Sequence, residues 1–121
     1  MKEHLQFYID GQWTDPVTPR TLDVINPSTE EVASRISLGS AADVDKAVQA
    51  ARRAFESFSR TSRDERVALL EKVLAIYKRR ADEVAQAISL EMGAPLWLSK
   101  AAQAAMGTAH LKTTLAVLKN F

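Results

Sequence analysis

Apolar and polar positions alternate with a period of two along the first forty residues, and the period then lengthens to about 3.6. Leu5 to Ile9 and Gln12 to Thr14 flank Asp10-Gly11, a dipeptide that accepts the positive φ angles of a two-residue type I′ turn, so this stretch predicts a β-hairpin. Pro16 and Pro19 bracket a loop. A second extended pair follows, Thr21 to Ile25 and Glu31 to Leu38, joined by the turn Asn26-Pro27-Ser28-Thr29. In the last of these strands Val32, Ser34, Ile36 and Leu38 share one face, and Ala33, Arg35 and Ser37 the other; the alternation predicts one buried side and one wet side.

Val44, Ala47, Val48, Ala51, Phe55 and Phe58 fall at helical spacing and predict a first helix over 41–59. Ser40 followed by Asp43 forms a capping box in its Asp form, and Ser62 with Glu65 fits the stricter pattern at the start of a second helix. The seam Val67, Leu70, Leu74, Tyr77, Ala81, Val84 and Ile88, widened by Leu69, Val73 and Ile76, predicts one helix of about seven turns. Gly93 and Pro95 stop it. A third helix, over 96–119, is apolar on nearly every side, with alanines at 101, 102, 104, 105, 109 and 116 and Leu98, Met106, Leu111, Leu115 and Leu118 between them.

The reading is an α+β segment: two amino-terminal β-hairpins within 1–39, then three α-helices within 40–121. A helix apolar all round is ordinarily enclosed by protein. Two hairpins and two other helices supply too little mass to enclose it, so further polypeptide is expected to cover it.

Composition narrows the function classes. The chain has 121 residues, is 46% apolar and carries a formal charge of +1, which gives no bulk attraction to nucleic acid or to an anionic membrane. Lys78-Arg79-Arg80 is offset at once by Asp82 and Glu83 and reads as a solvated helix face. Trp13 and Trp97 read as packing anchors, and His4 and His110 have no partner at metal-ligand spacing. There is no basic and apolar leader and no run long enough to span a membrane, so the expected compartment is the cytoplasm. Cysteine is absent, which removes thiolate chemistry from these residues.

The ordered set of motifs resembles the aldehyde dehydrogenase superfamily over essentially the full length. Phe7-Tyr8-Ile9-Asp10-Gly11-Gln12-Trp13 is similar to that family's opening hairpin, and Val24-Ile25-Asn26-Pro27-Ser28-Thr29 to its second strand and turn. Ala42 to Ala51 resembles its first helix; Arg66 to Leu74, followed by Leu90-Glu91-Met92-Gly93-Ala94-Pro95, resembles its second helix and the turn after it. Each motif is weak by itself. Their joint order is specific.

The resemblance implies a segment of the larger α/β aldehyde dehydrogenase fold, with the helices of 40–121 packed on a dinucleotide-binding domain. It implies a parent enzyme that oxidises an aldehyde to a carboxylic acid with NAD or NADP through a cysteine thioester, and that works as a homo-oligomer. The nucleophile and the phosphate-binding loop are expected beyond Phe121, so this segment alone is expected to be inactive, with no catalytic and no cofactor-binding residue of its own. The resemblance also implies a monovalent cation, Na+ or K+, held by Glu91 and by the backbone carbonyls of Val24 and Ile25. A carboxylate near a helix C-terminus is electrostatically unfavourable without a cation; read without the family, Glu91 is a solvated or salt-bridged surface residue. Ala102 and Met106 match positions that border the family's substrate entrance, and ordinary interhelical packing is the competing reading. Thr113-Thr114-Leu115-Ala116 stands where some members have Tyr-Tyr-Ala-Gly, which leaves the subfamily and the substrate open. A different class of function, a stand-alone helical binding or assembly module, is the alternative.

Overall fold

The computed structural model describes residues 2–121. They form two compact units that divide after Arg60.

The first unit holds five strands and one helix: β1 (Lys2–His4), β2 (Phe7–Ile9), β3 (Gln12–Thr14), β4 (Thr21–Ile25), β5 (Val32–Ser37) and α1 (Ala41–Phe58). β2 and β3 are the expected hairpin, paired Phe7 to Thr14 and Ile9 to Gln12, with Asp10 at φ 55° and Gly11 at φ 76°. Both central residues of a type I′ turn need positive φ, and the Asp-Gly pair is chosen for that. Arg53 of α1 reaches the turn, its guanidinium 2.9 Å from the Asp10 carboxylate.

β4 and β5 are the expected second pair, joined through a loop in which the Asn26 side chain accepts the Ser28 N–H and Glu30 takes φ 60°. Two features depart from the expected pattern. β1 lies parallel to β5, so the sheet has three strands in the order β1-β5-β4. In addition, Val24 pairs with Ser34 while Ile25 pairs with Val32, leaving Ala33 as one extra residue. Such a bulge resets the alternation of faces. The buried-and-wet division expected of β5 is accordingly not found: Val32 is exposed, Ser34 is buried, and Ala33, Arg35 and Ser37 are all half-buried. Ser37 donates its hydroxyl to the Leu5 carbonyl at 2.6 Å.

Helix α1 starts where its cap predicts. The Ser40 side chain accepts from the Asp43 N–H, and the Asp43 carboxylate accepts from the Ser40 N–H at 2.8 Å and the Ser40 hydroxyl at 2.7 Å. Asp43 also accepts the Val17 N–H at 2.9 Å, which pins the proline-bracketed loop to the helix start. These three donors, the Ser40 hydroxyl foremost, hold the Asp43 carboxyl below its ordinary value of 3.8. A carboxylate whose folded pKa is depressed contributes stability above its unfolded pKa, and that contribution is lost as pH falls through the folded value. Asp43→Asn is therefore expected to lower the thermal midpoint at neutral pH. The gap should close on acidification below the ordinary aspartate range, as measured by circular dichroism melts across pH 2 to 7; a gap that stays constant would mean the charge contributes nothing.

The second unit holds α2 (Arg63–Arg79), α3 (Ala81–Met92), α4 (Leu96–Leu98), a π turn (Ser99–Gln103) and α5 (Ala104–Asn120). The Ser62–Glu65 capping box is present in full, with Glu65 accepting both donors of Ser62. The single seven-turn helix expected over 62–92 is two helices, because the chain leaves helical geometry at Arg80 (φ −104°, ψ 10°). The charges around the break complement both helix dipoles: Lys78 and Arg79 sit in the last turn of α2, Asp82 and Glu83 in the first turn of α3. Arg80 itself spans the junction, bonded to Glu83 at 2.9 and 3.0 Å. The basic run is thus a helix junction as well as a solvated surface. Gly93 ends α3 at φ 72°, a left-handed cap that favours glycine.

α5 packs mainly along α2. Val67, Leu70, Leu74 and Tyr77 are half-buried, while the residues that widen the α2 seam, Leu69, Val73 and Ile76, stay exposed. The buried apolar residues among those described are few and mostly small: Ala50, Ala85, Ala104 and Leu115. Phe55 is 67% exposed and Phe58 50%. The last helix has the unmet face expected of it, with Ala105, Met106, Ala109 and Val117 all exposed.

Candidate functional site

The residues of interest are Val24 and Ile25 in β4, Glu91 in α3, Ala102 in the π turn and Met106 in α5. Val24 and Ile25 end β4, Val24 half-buried and Ile25 46% exposed, at the position where the register of β4 against β5 shifts.

Glu91 is the penultimate residue of α3, exposed, and two residues before the left-handed cap at Gly93. Its carboxylate makes no ion pair or side-chain hydrogen bond within the described residues, although Lys100 sits in the same unit and pairs instead with Asp82 at 3.1 Å. It therefore stands beside the negative end of the α3 dipole without a cationic partner among the described residues. The described residues contain no group of three or more histidine, cysteine, aspartate or glutamate side chains able to hold a metal ion. His4 and His110 are both exposed.

Ala102 and Met106 lie one turn apart, Ala102 inside the π turn and Met106 in α5. Both are exposed, Met106 at 51%. The π turn beneath them is well anchored. The Ala104 N–H reaches the Ser99 carbonyl, Ser99 is fully buried, and its hydroxyl donates to the Gln103 side-chain carbonyl at 3.1 Å. The π turn, where the sequence predicts regular helix, shows in the burial pattern: the enclosed positions Ser99 and Ala104 are five apart, whereas Ala104, Thr108, Leu111, Leu115 and Leu118 step by fours and threes.

Further along α5, Leu115 is buried while Thr113, Thr114 and Ala116 are exposed. The tryptophans are exposed as well, Trp13 at 67% and Trp97 at 69%; the Trp13 ring packs at a tilt against Tyr8, ring centroids 5.2 Å apart. Within the described residues no helix is long and apolar enough to cross a membrane.

Short strands followed by helices, with an unmet apolar face, define a segment of a mixed α/β protein. The aldehyde dehydrogenase family model matches residues 13–120, and the chain belongs to that family. A 3-succinoylsemialdehyde-pyridine dehydrogenase from a Pseudomonas species is 48% identical over 122 residues, a match that takes in all of this chain and 26% of that protein. The crystal structure of an aldehyde dehydrogenase from Bartonella henselae superposes with a TM-score of 0.99 at 46% identity, over 100% of this chain and 25% of that one. A mutant of aldehyde dehydrogenase C from Pseudomonas syringae, in complex with NAD+ and octanal, superposes with a TM-score of 0.93 at 42% identity, over 96% of this chain and 24% of that one. The chain thus spans about a quarter of the length of these relatives.

The sequence has no cysteine, and its four glycines stand at 11, 39, 93 and 107.

Proposed function

We propose that this chain is the amino-terminal segment of an enzyme that oxidises an aldehyde to a carboxylic acid with NAD or NADP, working in the cytoplasm as a homo-oligomer. In this reading the segment is catalytically silent. The cysteine that forms the thioester, and the loop that binds the cofactor, belong to the other three-quarters of the enzyme. The helices of 40–121 pack on its dinucleotide-binding domain, and their exposed apolar faces are the surface that does so. The observation that carries the proposal is the collinear match to aldehyde dehydrogenases across residues 13–120, at a quarter of their length.

Two local roles go with it. Glu91, with the carbonyls of Val24 and Ile25, supplies oxygen ligands to a structural Na+ or K+; the unpaired carboxylate at the α3 C-terminus supports this, since a hard cation offsets both the side chain and the helix dipole. Ala102 and Met106 form part of the wall of the substrate entrance, supported by their exposure at and just after the π turn.

The test is a chimera in which residues 1–121 replace the matching quarter of the Pseudomonas relative. It is expected to retain aldehyde-dependent reduction of NAD, while the chain alone shows none. The cation role predicts that Glu91→Gln in the chimera lowers the thermal midpoint in KCl or NaCl but not in a salt of a bulky organic cation. A folded chimera without activity would sink the proposal, and activity from the chain alone would contradict the silent role.

A further inference from the structure

Tyr77 of α2 touches the start of α5, just past the π turn, at two points. Its hydroxyl donates to the Ala104 carbonyl at 2.8 Å, and Ala104 is the residue whose N–H closes the wide turn onto Ser99. Its ring lies directly on the backbone at Gly107: a β-carbon built there would fall 2.4 Å from the ring Cζ and from the hydroxyl oxygen, and 2.9 Å from Cε1. The ring therefore occupies the space that any other residue at 107 would fill with side chain. From the other side the turn is tied down by the enclosed Ser99, bonded to Gln103, and by the Lys100–Asp82 ion pair.

A π turn holds one residue more than regular helix. Its presence between two residues changes their relative direction about the helix axis by about 100°, so moving it out of the interval between them turns one against the other. Ala102 lies within the turn and Met106 beyond it. Their relative direction thus depends on the turn staying where it is, and wide turns persist only when their surroundings hold them. Tyr77 holds both Ala104, whose N–H closes the turn, and Gly107 one turn further along α5.

We infer that Tyr77, seated on Gly107, is a positioning residue that locks the π turn and so sets how Ala102 and Met106 are presented to an aldehyde chain. The inference rests on the reading of those two residues as substrate-entrance wall. Tyr77 does not itself meet the substrate; it acts through the turn, on discrimination between long and short apolar aldehydes.

The experiment uses the chimeric enzyme and Tyr77→Phe, which keeps the ring on Gly107 and removes only the hydroxyl. Amide hydrogen exchange over residues 103–108 is expected to quicken at least tenfold. The ratio of kcat/KM for octanal to that for propanal is expected to change at least fivefold, with kcat for propanal within twofold. Met106→Ala, measured alongside, reports on the entrance itself. Unchanged exchange in Tyr77→Phe would overturn the locking role. Quickened exchange with an unchanged aldehyde ratio, in an enzyme where Met106→Ala does move that ratio, would overturn the inference and leave the entrance reading standing. A ratio that neither variant moves would overturn both.

Discussion

Gly107→Ala is expected to destabilise the helical unit, and the same substitution in a Tyr77→Ala background to stabilise it. Intrinsic propensity favours alanine over glycine in a helix interior by about 0.8 to 1 kcal/mol. Against this, the new methyl would sit 2.4 Å from two atoms of the Tyr77 ring end, well inside van der Waals contact. Forcing a methyl into filled space typically costs about 1 to 3 kcal/mol. Swinging the ring aside to relieve it would give up the hydrogen bond to the Ala104 carbonyl, about 1 kcal/mol more. The clash outweighs the propensity, so a net loss of about 1 to 2 kcal/mol follows. Without the ring only the propensity remains and the sign reverses. Urea midpoints from circular dichroism at low protein concentration, on the four members of the double-mutant cycle, decide the matter. Equal effects of Gly107→Ala in both backgrounds would show that the ring does not hold the glycine in place.

The second large effect concerns the first helix. Val44, Val48, Phe55 and Phe58 share one face of α1 and are 59%, 47%, 67% and 50% exposed. Fully burying side chains of this kind is worth about 1.5 to 3 kcal/mol each, so covering the face stabilises whatever covers it by several such increments. The chain by itself is expected to self-associate through such faces and to melt with low cooperativity. Val48→Lys with Phe55→Glu should make it more monodisperse in analytical ultracentrifugation and reduce its binding of a hydrophobic dye. In the chimera the same pair should have the opposite consequence and lower the yield of folded enzyme, because there the face is buried. A monodisperse monomer with a sharp two-state transition, before any substitution, would remove the basis for an unmet face. If the double substitution is harmless in the chimera, α1 is covered by nothing in the enzyme.

The elements whose instructions are local were legible in the residues alone. The Asp10-Gly11 hairpin, the Asn26 to Thr29 turn, both capping boxes and the Gly93 stop each depend on a few neighbouring side chains meeting their own backbone, and all appear where expected. The surplus of apolar helix was legible too, since it is a matter of how much surface a given number of residues can hide. The order of these motifs carried the family resemblance, and with it the residues Glu91, Ala102 and Met106.

What the residues alone left open were features set by partners distant in sequence. The pairing of β1 with β5, 32 residues apart at Lys2 and Ser34, carries no local signal in three residues. The bulge at Ala33 and the break at Arg80 replace a regular pattern that the residues themselves would tolerate; only packing selects the irregular form. The π turn is the clearest case, because nothing within Ser99 to Gln103 forbids regular helix. Tyr77 and Gly107 lie outside that stretch, and it is their contact, made only once α2 and α5 are packed together, that fixes where the turn widens. Short-range hydrogen bonding determined the elements, and long-range contact decided how the candidate entrance residues face.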